Sequence, residues 1–368
     1  MPTTTRHGVE SLLAGIAQAP DAHALFAETS TRLQRIAPFD AAVWVATDPI
    51  NGLTTAPVRV ENLPEGGCGT YWELELFDEH VSLFRDLAVA PSPVAGLRAV
   101  TGDDPSGTAM YQNYMRPRGF EDELRAVFRV DGQHWGQLSL FRERGRPDFD
   151  ATELALLESL SAPMAQRLRS FVRPSTPAPE DTGDAPGMLL FDADGNLMSL
   201  NDEARHLLAQ MPPGPATTTP LGIELPLPVW ILSTAGRARL TGGSARIRIR
   251  ATTGRWLVCH ASCLSDGEGR GGATALVIEA AKPSEVAALV VAAYELTPRE
   301  LDVIELIGRG LPTGDIAARL HLSPHTVRDH VKAIFDKVGV TSRGELVAKL
   351  FTEFHLPLAA RDTVRVER

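Results

Sequence analysis

The run from Ser323 to Val338, SPHTVRDHVKAIFDKV, carries the side chains with most to offer a ligand. On a wheel of 100° per residue, Val327, Val331, Ile334 and Val338 fall within about 60° of arc. His325, Arg328, Asp329, Lys332 and Asp336 lie opposite, and Thr326, His330 and Lys337 flank the stripe. This spacing predicts a helix held by its apolar side and presenting polar groups outward. Preceded by a short helix and a tight turn, such a helix fits a DNA major groove about 12 Å wide. The same periodicity also suits a small bundle whose outward charges are merely solvated.

Other candidate chemistry is weaker. Gly267, Gly269 and Gly272 satisfy G-x-G-x-x-G, but a β-like run, Ala273 to Ala280, follows where a dinucleotide site needs a helix. Cys259 and Cys263 share one face of an extended strand about 13 Å apart, with His260 on the other, so buried cysteines are expected rather than a metal or redox pair. His134, beside Trp135, and His80 are lone histidines, more often structural than haem ligands. Walker A, H-E-x-x-H and G-x-S-x-G sequences are absent. The chain is expected not to be an enzyme.

The elements that must hold the 323–338 helix are well punctuated. Thr297 predicts a cap, with Pro298 first in the helix and Glu300 reaching back. Gly308 and Gly310 end that helix, and Thr313 is expected to cap a second one with Ile316, Ala317 and Leu320 inward. Ser323 caps the third, Gly339 stops it, and Ser342 with Glu345 predicts a capping box for a fourth, running to about Phe354.

Over about 60 residues this stretch resembles the LuxR/GerE type of helix-turn-helix, in which LTPRE, IA-x-x-L and S-x-x-TV-x-x-H-V occur in this order and spacing. The resemblance makes Asp315 to Leu320 the scaffold helix and Ser323 to Val338 the recognition helix. It implies double-stranded DNA as partner, with Thr313, Ser323, His325, Thr326, Arg328, Asp329, His330, Lys332 and Lys337 as contacts. Arg328 and Lys332 are the expected groove residues. Arg suits guanine, while Lys332, Thr326 and His330 suit phosphates; His330 also borders the packed stripe. Gly314 and Ala333 depart from the Lys and Asn common in the family. The family's habit of pairing through its fourth helix implies a homodimer using Arg343, Leu346, Val347 and Leu350, and RNA polymerase is a further candidate partner.

Upstream, residues 173–187 hold four Pro, two Gly and three acids without Leu, Ile or Phe, which marks a linker. Before it, Gly8 to Ile36 and Tyr71 to Ala88 have helical spacing, and Ala41 to Thr47 reads as a strand. Two apolar runs flank Asp131-Gly132, a hairpin signal, and a helix is expected from Ala151 to Phe171. After the linker come Met188-Leu-Leu-Phe, a turn at Asp192 to Gly195, a helix over Leu200 to Gln210, and a six-proline stretch from Pro212 to Pro228. Strand-like runs at Ala245 to Arg250, Arg255 to Leu264 and Ala273 to Ala280 complete it. The first part resembles a GAF domain, through FDAAVWVATDP and RAVFRVDGQHWGQLSLFRERGRPDFDATELALLESL. The second resembles a PAS domain, through MLLFDADGNLMSLNDEARHLL and the late strands, though prolines stand where short helices usually lie.

The expected fold is therefore multidomain: two α+β sensor modules with antiparallel sheets and flanking helices, then an all-α four-helix domain. The expected boundaries are 1–172 GAF-like, 173–187 linker, 188–283 PAS-like, 284–296 connecting helix, 297–358 helix-turn-helix and 359–368 tail. Residues 294–368 sum to zero charge, so the surplus of ten negative charges lies upstream. A neutral reader tethered to an anionic sensor binds DNA weakly alone, which again points to a dimer. Three cysteines and no apolar run near the roughly 20 residues of a bilayer span place the chain in the cytoplasm, off the membrane. The expectation is a signal-modulated regulator. A haem or flavin sensor enzyme and an adaptor with a degenerate helix-turn-helix are the alternatives; no cofactor is named, and a small-molecule ligand of either sensor module is left open.

Overall fold

The structure, a computed structural model of the 368-residue chain, describes residues 3–63, 68–77, 81–172, 185–217, 223, 225–265 and 271–354. It divides into two compact units, Met1–Leu168 with Glu180–Ala280, and Arg169–Pro179 with Ala281–Arg368.

The larger unit holds two five-stranded antiparallel sheets. The first contains β1 (Ala41–Thr47), β2 (Thr54–Glu61), β3 (Val94–Gly96), β4 (Phe120–Val130) and β5 (Gln133–Glu143), ordered β2-β1-β5-β4-β3. Register sets its faces: Trp44 opposes Leu138 and Ala42 opposes Leu140 on one side, while Val43 with Ser139 and Ala41 with Phe141 lie on the other. Helices α1 (Thr3–Gln18), α2 (Ala22–Leu33) and α6 (Ala151–Ser170) supply Leu12, Phe26 and Leu157 to the core, all three at 0% exposure. Phe26 lies against Trp44 with ring centroids 5.8 Å apart. On the second face α3 (Cys68–Phe77) sets Tyr71 edge-on to Phe141, next to α4 (Phe84–Leu87) and α5 (Leu97–Thr101). Covering on both faces is why every residue of β1 is buried. Asp131 and Gly132 take φ of 53° and 74°, the left-handed geometry that closes the β4–β5 hairpin.

The second sheet is formed by β6 (Gly187–Phe191), β7 (Leu197–Leu200), β10 (Ser244–Arg250), β11 (Trp256–Ser265) and β12 (Gly271–Ala280), ordered β10-β11-β12-β6-β7. Numbered along the chain, both sheets run 2-1-5-4-3. Against the second lie α7 (Asp202–Ala209) and α8 (Val229–Thr241), the latter burying Trp230 completely. Within the six-proline stretch, β8 (Ala216–Thr217) and β9 (Leu227–Pro228) form a two-residue ladder. Cys259 is buried and free, and burial pushes its thiol far up, as expected of a core cysteine.

The two sheet modules are not independent. Their apolar residues make one continuous core, and a buried ion pair, Arg248 Nη1 to Asp48 Oδ2 at 2.8 Å, joins them. Asn51 Nδ2 donates to Arg246 O, and Thr55 Oγ1 to Arg248 O. Several local readings change. The expected Tyr71–Ala88 helix is two helices, α3 and α4, and Leu200 ends a strand. Helix α8 and strand β2 were not expected. His80, Gly267 and Gly269 lie outside the described residues, and Gly272 sits in β12.

The smaller unit is helical: α9 (Pro283–Ala293), α10 (Pro298–Gly308), α11 (Thr313–Leu320), α12 (Pro324–Val338) and α13 (Arg343–Phe354). Val303, Ile316, Val327, Ile334 and Leu346 are fully buried, each contributing about 1.5–3 kcal/mol by leaving water.

Candidate nucleic-acid interface

Local capping fixes where each helix of the smaller unit begins. Glu300 N–H donates to Thr297 Oγ1 at 3.2 Å and Thr297 N–H to Glu300 Oε2 at 2.7 Å, a complete capping box. Helix α11 starts after Pro312 with no side-chain cap, so Thr313 is its first residue and not its cap. The Thr313 hydroxyl instead accepts from Arg343 Nη2 at 3.1 Å, while Arg343 Nη1 donates to Leu311 O at 3.0 Å. His321 ends α11 at φ 56°, and Leu322 N–H reaches back to Ala317 O at 2.9 Å. Ser323 then caps α12, accepting from Thr326 N–H at 3.1 Å. Two helices joined by so short a left-handed turn make a helix-turn-helix.

Helix α12 is anchored on one side and open on the other. Val327, Ile334 and Val338 are buried, with Val331 half-buried beside them. His325, Arg328, Asp329, Lys332 and Asp336 are exposed, as the wheel predicts. His325 Nδ1 lies 2.9 Å from Asp329 Oδ2, and Arg328 Nε donates to Pro324 O at 3.2 Å, so both side chains lean along the helix surface. Thr326 and His330 are half-buried, and the Thr326 hydroxyl sits 2.9 Å from that of Ser323.

Lys337 is spent inside the protein. Its ammonium donates to Glu300 Oε1 at 2.9 Å, Glu300 Oε2 at 2.7 Å and Glu295 O at 2.9 Å, using its three protons. Burial opposes ionisation of Glu300, yet the hydrogen bonds from Lys337 and Thr297 outweigh it and hold the carboxyl below the usual range. Spacing alone did not reveal this. The available signal was the position of Lys337, beside Val338 at the edge of the apolar stripe. Of the four pairing residues expected on α13, Arg343 is engaged as above, Leu346 is fully buried within its own chain and Val347 is half-buried. The Leu350 side chain lies outside the described residues.

Residues 294–350 match the family "Bacterial regulatory proteins, luxR family". The chain is 48% identical over 52 residues to an HTH-type transcriptional regulator of Mycobacterium tuberculosis, covering 14% of this chain and 6% of that protein. It is 45% identical over 62 residues to the response regulator RamR of Streptomyces coelicolor, covering 17% and 31%. The chain thus spans under a third of the length of these curated relatives. Among solved structures, the GAF domain of an Acinetobacter phosphoenolpyruvate-protein phosphotransferase is similar over 46% of this chain and 94% of its own, at 13% identity and a TM-score of 0.30. The matched family and these curated relatives are named as regulators. With the capped helices and the anchored α12 in place, residues 294–350 form a LuxR-family helix-turn-helix domain.

Proposed function

We propose that this chain is a sequence-specific DNA-binding transcriptional regulator, that it reads a dyad site as a homodimer, and that a small-molecule signal modulates it. The observation that supports this most is the arrangement of α12, whose Val327, Ile334 and Val338 are buried while Arg328 and Lys332 stand exposed on the same helix. In the groove Arg328 contacts bases and Lys332 holds phosphates. Ser323, His325, Thr326, Asp329 and His330 complete the proposed surface, with Thr313 as a further contact.

Pairing through α13 uses Val347 and its exposed neighbours, because Leu346 is occupied at home. The two sheet modules act as GAF-like and PAS-like sensors, a reading supported by their shared 2-1-5-4-3 strand order. Residues 173–187 serve as linker and α9 as the connection to the reader. RNA polymerase is a proposed downstream partner. No helix among the described residues is long and apolar enough to cross a membrane, and we place the protein in the cytoplasm.

The test is selection of duplexes from a random pool by the full-length protein, repeated with Arg328→Ala. Enrichment of a two-fold symmetric sequence that the variant no longer selects is the expected result. A wild-type chain that enriches nothing, or a variant that selects the same sequence equally well, overturns the reading.

A further inference from the structure

At the seam of the two sheet modules lies a cavity of about 270 Å³. It falls just under the roughly 300–1,000 Å³ of drug-sized sites, so it suits a single ring and not a dinucleotide. The first module supplies Trp72 and Glu75 from α3, Phe84 and Arg85 from α4, and His134 and Gln137 from β5. The second supplies Ser233 and Arg237 from α8.

The walls differ in chemistry. Trp72 and Phe84 are flat and nearly buried, at 7% and 4% exposure. Glu75 accepts from Phe84 N–H at 2.9 Å and from Arg125 Nη1 at 2.7 Å, and Arg125 also pairs with Glu123 at 2.9 Å. One guanidinium thus serves two buried carboxylates, which leaves Glu75 ready to accept a further donor. His134 is 7% exposed, yet its Nε2 has no hydrogen-bond partner among the described residues. A buried polar atom left bare is destabilising, and a ligand's polar group would relieve it. Arg85 and Arg237 bring two positive charges, and among the described residues Arg85 Nε lies 3.9 Å from Asp86 Oδ1.

We infer that this seam is the binding site for a planar aromatic carboxylate carrying a hydrogen-bond donor at its other end. The ring lies against Trp72 and Phe84, the donor meets Glu75, His134 and Gln137 bond the ring substituents, and the carboxylate meets Arg237 and Arg85. Because the lining comes from both modules, the ligand ties α8 to the first sheet. This inference supplies the signal for the regulator proposed above and rests on that reading.

The probe is 4-hydroxybenzoate, titrated calorimetrically into the full-length protein, with 4-hydroxybenzamide as uncharged and cyclohexanecarboxylate as non-planar control. Saturable binding of the first, at least about tenfold tighter than either control, is expected. Arg237→Gln should remove that preference for the carboxylate while leaving the melting temperature and duplex binding of the ligand-free protein unchanged. Absence of saturable binding, equal binding of acid and amide, or an Arg237→Gln variant that keeps its preference overturns the site. Duplex binding is measured on the same samples: its loss with carboxylate binding intact defeats the DNA reading alone, and the reverse defeats the seam alone.

Discussion

Lys337 Nζ lies 2.9 and 2.7 Å from the two carboxylate oxygens of Glu300, thirty-seven residues earlier. Glu300 is 4% exposed and also accepts from Thr297 N–H, so one carboxylate caps α10 and holds the C-terminal half of α12. The third Lys337 proton goes to Glu295 O, and the Glu295 carboxylate is itself 2.6 Å from Arg169 Nη2. The pose of the reading helix is therefore fixed by a polar clamp as well as by its valines.

Removing the ammonium leaves a nearly buried carboxylate without its charged partner. Lys337→Ala is expected to destabilise the helical unit by about 2–3 kcal/mol, since Lys337 is partly exposed and water offsets some of the loss. Lys337→Arg recovers part of it. Hydrogen exchange of the α10 and α12 amides in the full chain measures the effect. Protection equal to the wild type in the alanine variant would mean that the clamp holds nothing.

The exposed cations should behave in the opposite way. Arg328→Ala leaves amide protection of α12 unchanged and costs about 1–3 kcal/mol in affinity for a selected duplex, with relaxed preference at one base step. Lys332→Ala weakens all duplexes alike and lowers the slope of log affinity against log salt by about one. Fluorescence anisotropy at several salt concentrations separates the two. A Lys332 variant with an unaltered salt slope would place that ammonium off the phosphates.

The reader was legible in the sequence because its signals are local. A cap, a left-handed helix end and a stripe of valines all lie within a few residues of what they control, as at Ser323, Gly339 and Val327. Helix α8 was not legible: Val229 to Ala235 is buried almost throughout, so it lacks the one-sided spacing that marks a surface helix. The shared core of the two sheets was hidden for another reason. Asp48 and Arg248 are 200 residues apart, and no local pattern records which strand a distant arginine will meet. Lys337 shows the same limit, since a lysine beside an apolar stripe looks identical whether it meets phosphate or a buried glutamate.

His134 gives the larger unit a pH dependence of known sign. Burial is the main cause that pushes its imidazole down to about 4, whereas in the unfolded chain it titrates near 6.5. Between those values the unfolded chain takes up a proton that the folded one refuses. The stability tied to neutral His134 is thus complete above about pH 6.5 and falls as pH drops toward 4, by roughly 3 kcal/mol in all. His134→Gln should remove that part of the slope. Urea midpoints followed by tryptophan fluorescence at pH 7.5 and 4.5 compare the variant with the wild type, whose other titrating groups are shared. Parallel slopes would show that His134 takes up its proton without cost.

The Asp48–Arg248 pair tests whether the two sheet modules unfold as one body. Asp48 is 1% exposed and Arg248 8%, and the Asp48 carboxylate also accepts the Arg248 backbone N–H at 3.2 Å. Asp48→Ala removes the carboxylate paired with the nearly buried Arg248 guanidinium, which costs about 3–5 kcal/mol. Asp48→Leu combined with Arg248→Met removes both charges and restores most of that loss, because the desolvation penalty disappears with the attraction. The continuous apolar core should keep the transition single in every case. Urea denaturation of the full chain, read by fluorescence and by far-ultraviolet circular dichroism of the sheets, gives the midpoints. Two separated sheet transitions in the wild-type protein would refute the joint body, and a double variant no more stable than Asp48→Ala would show that the seam depends on the charges themselves.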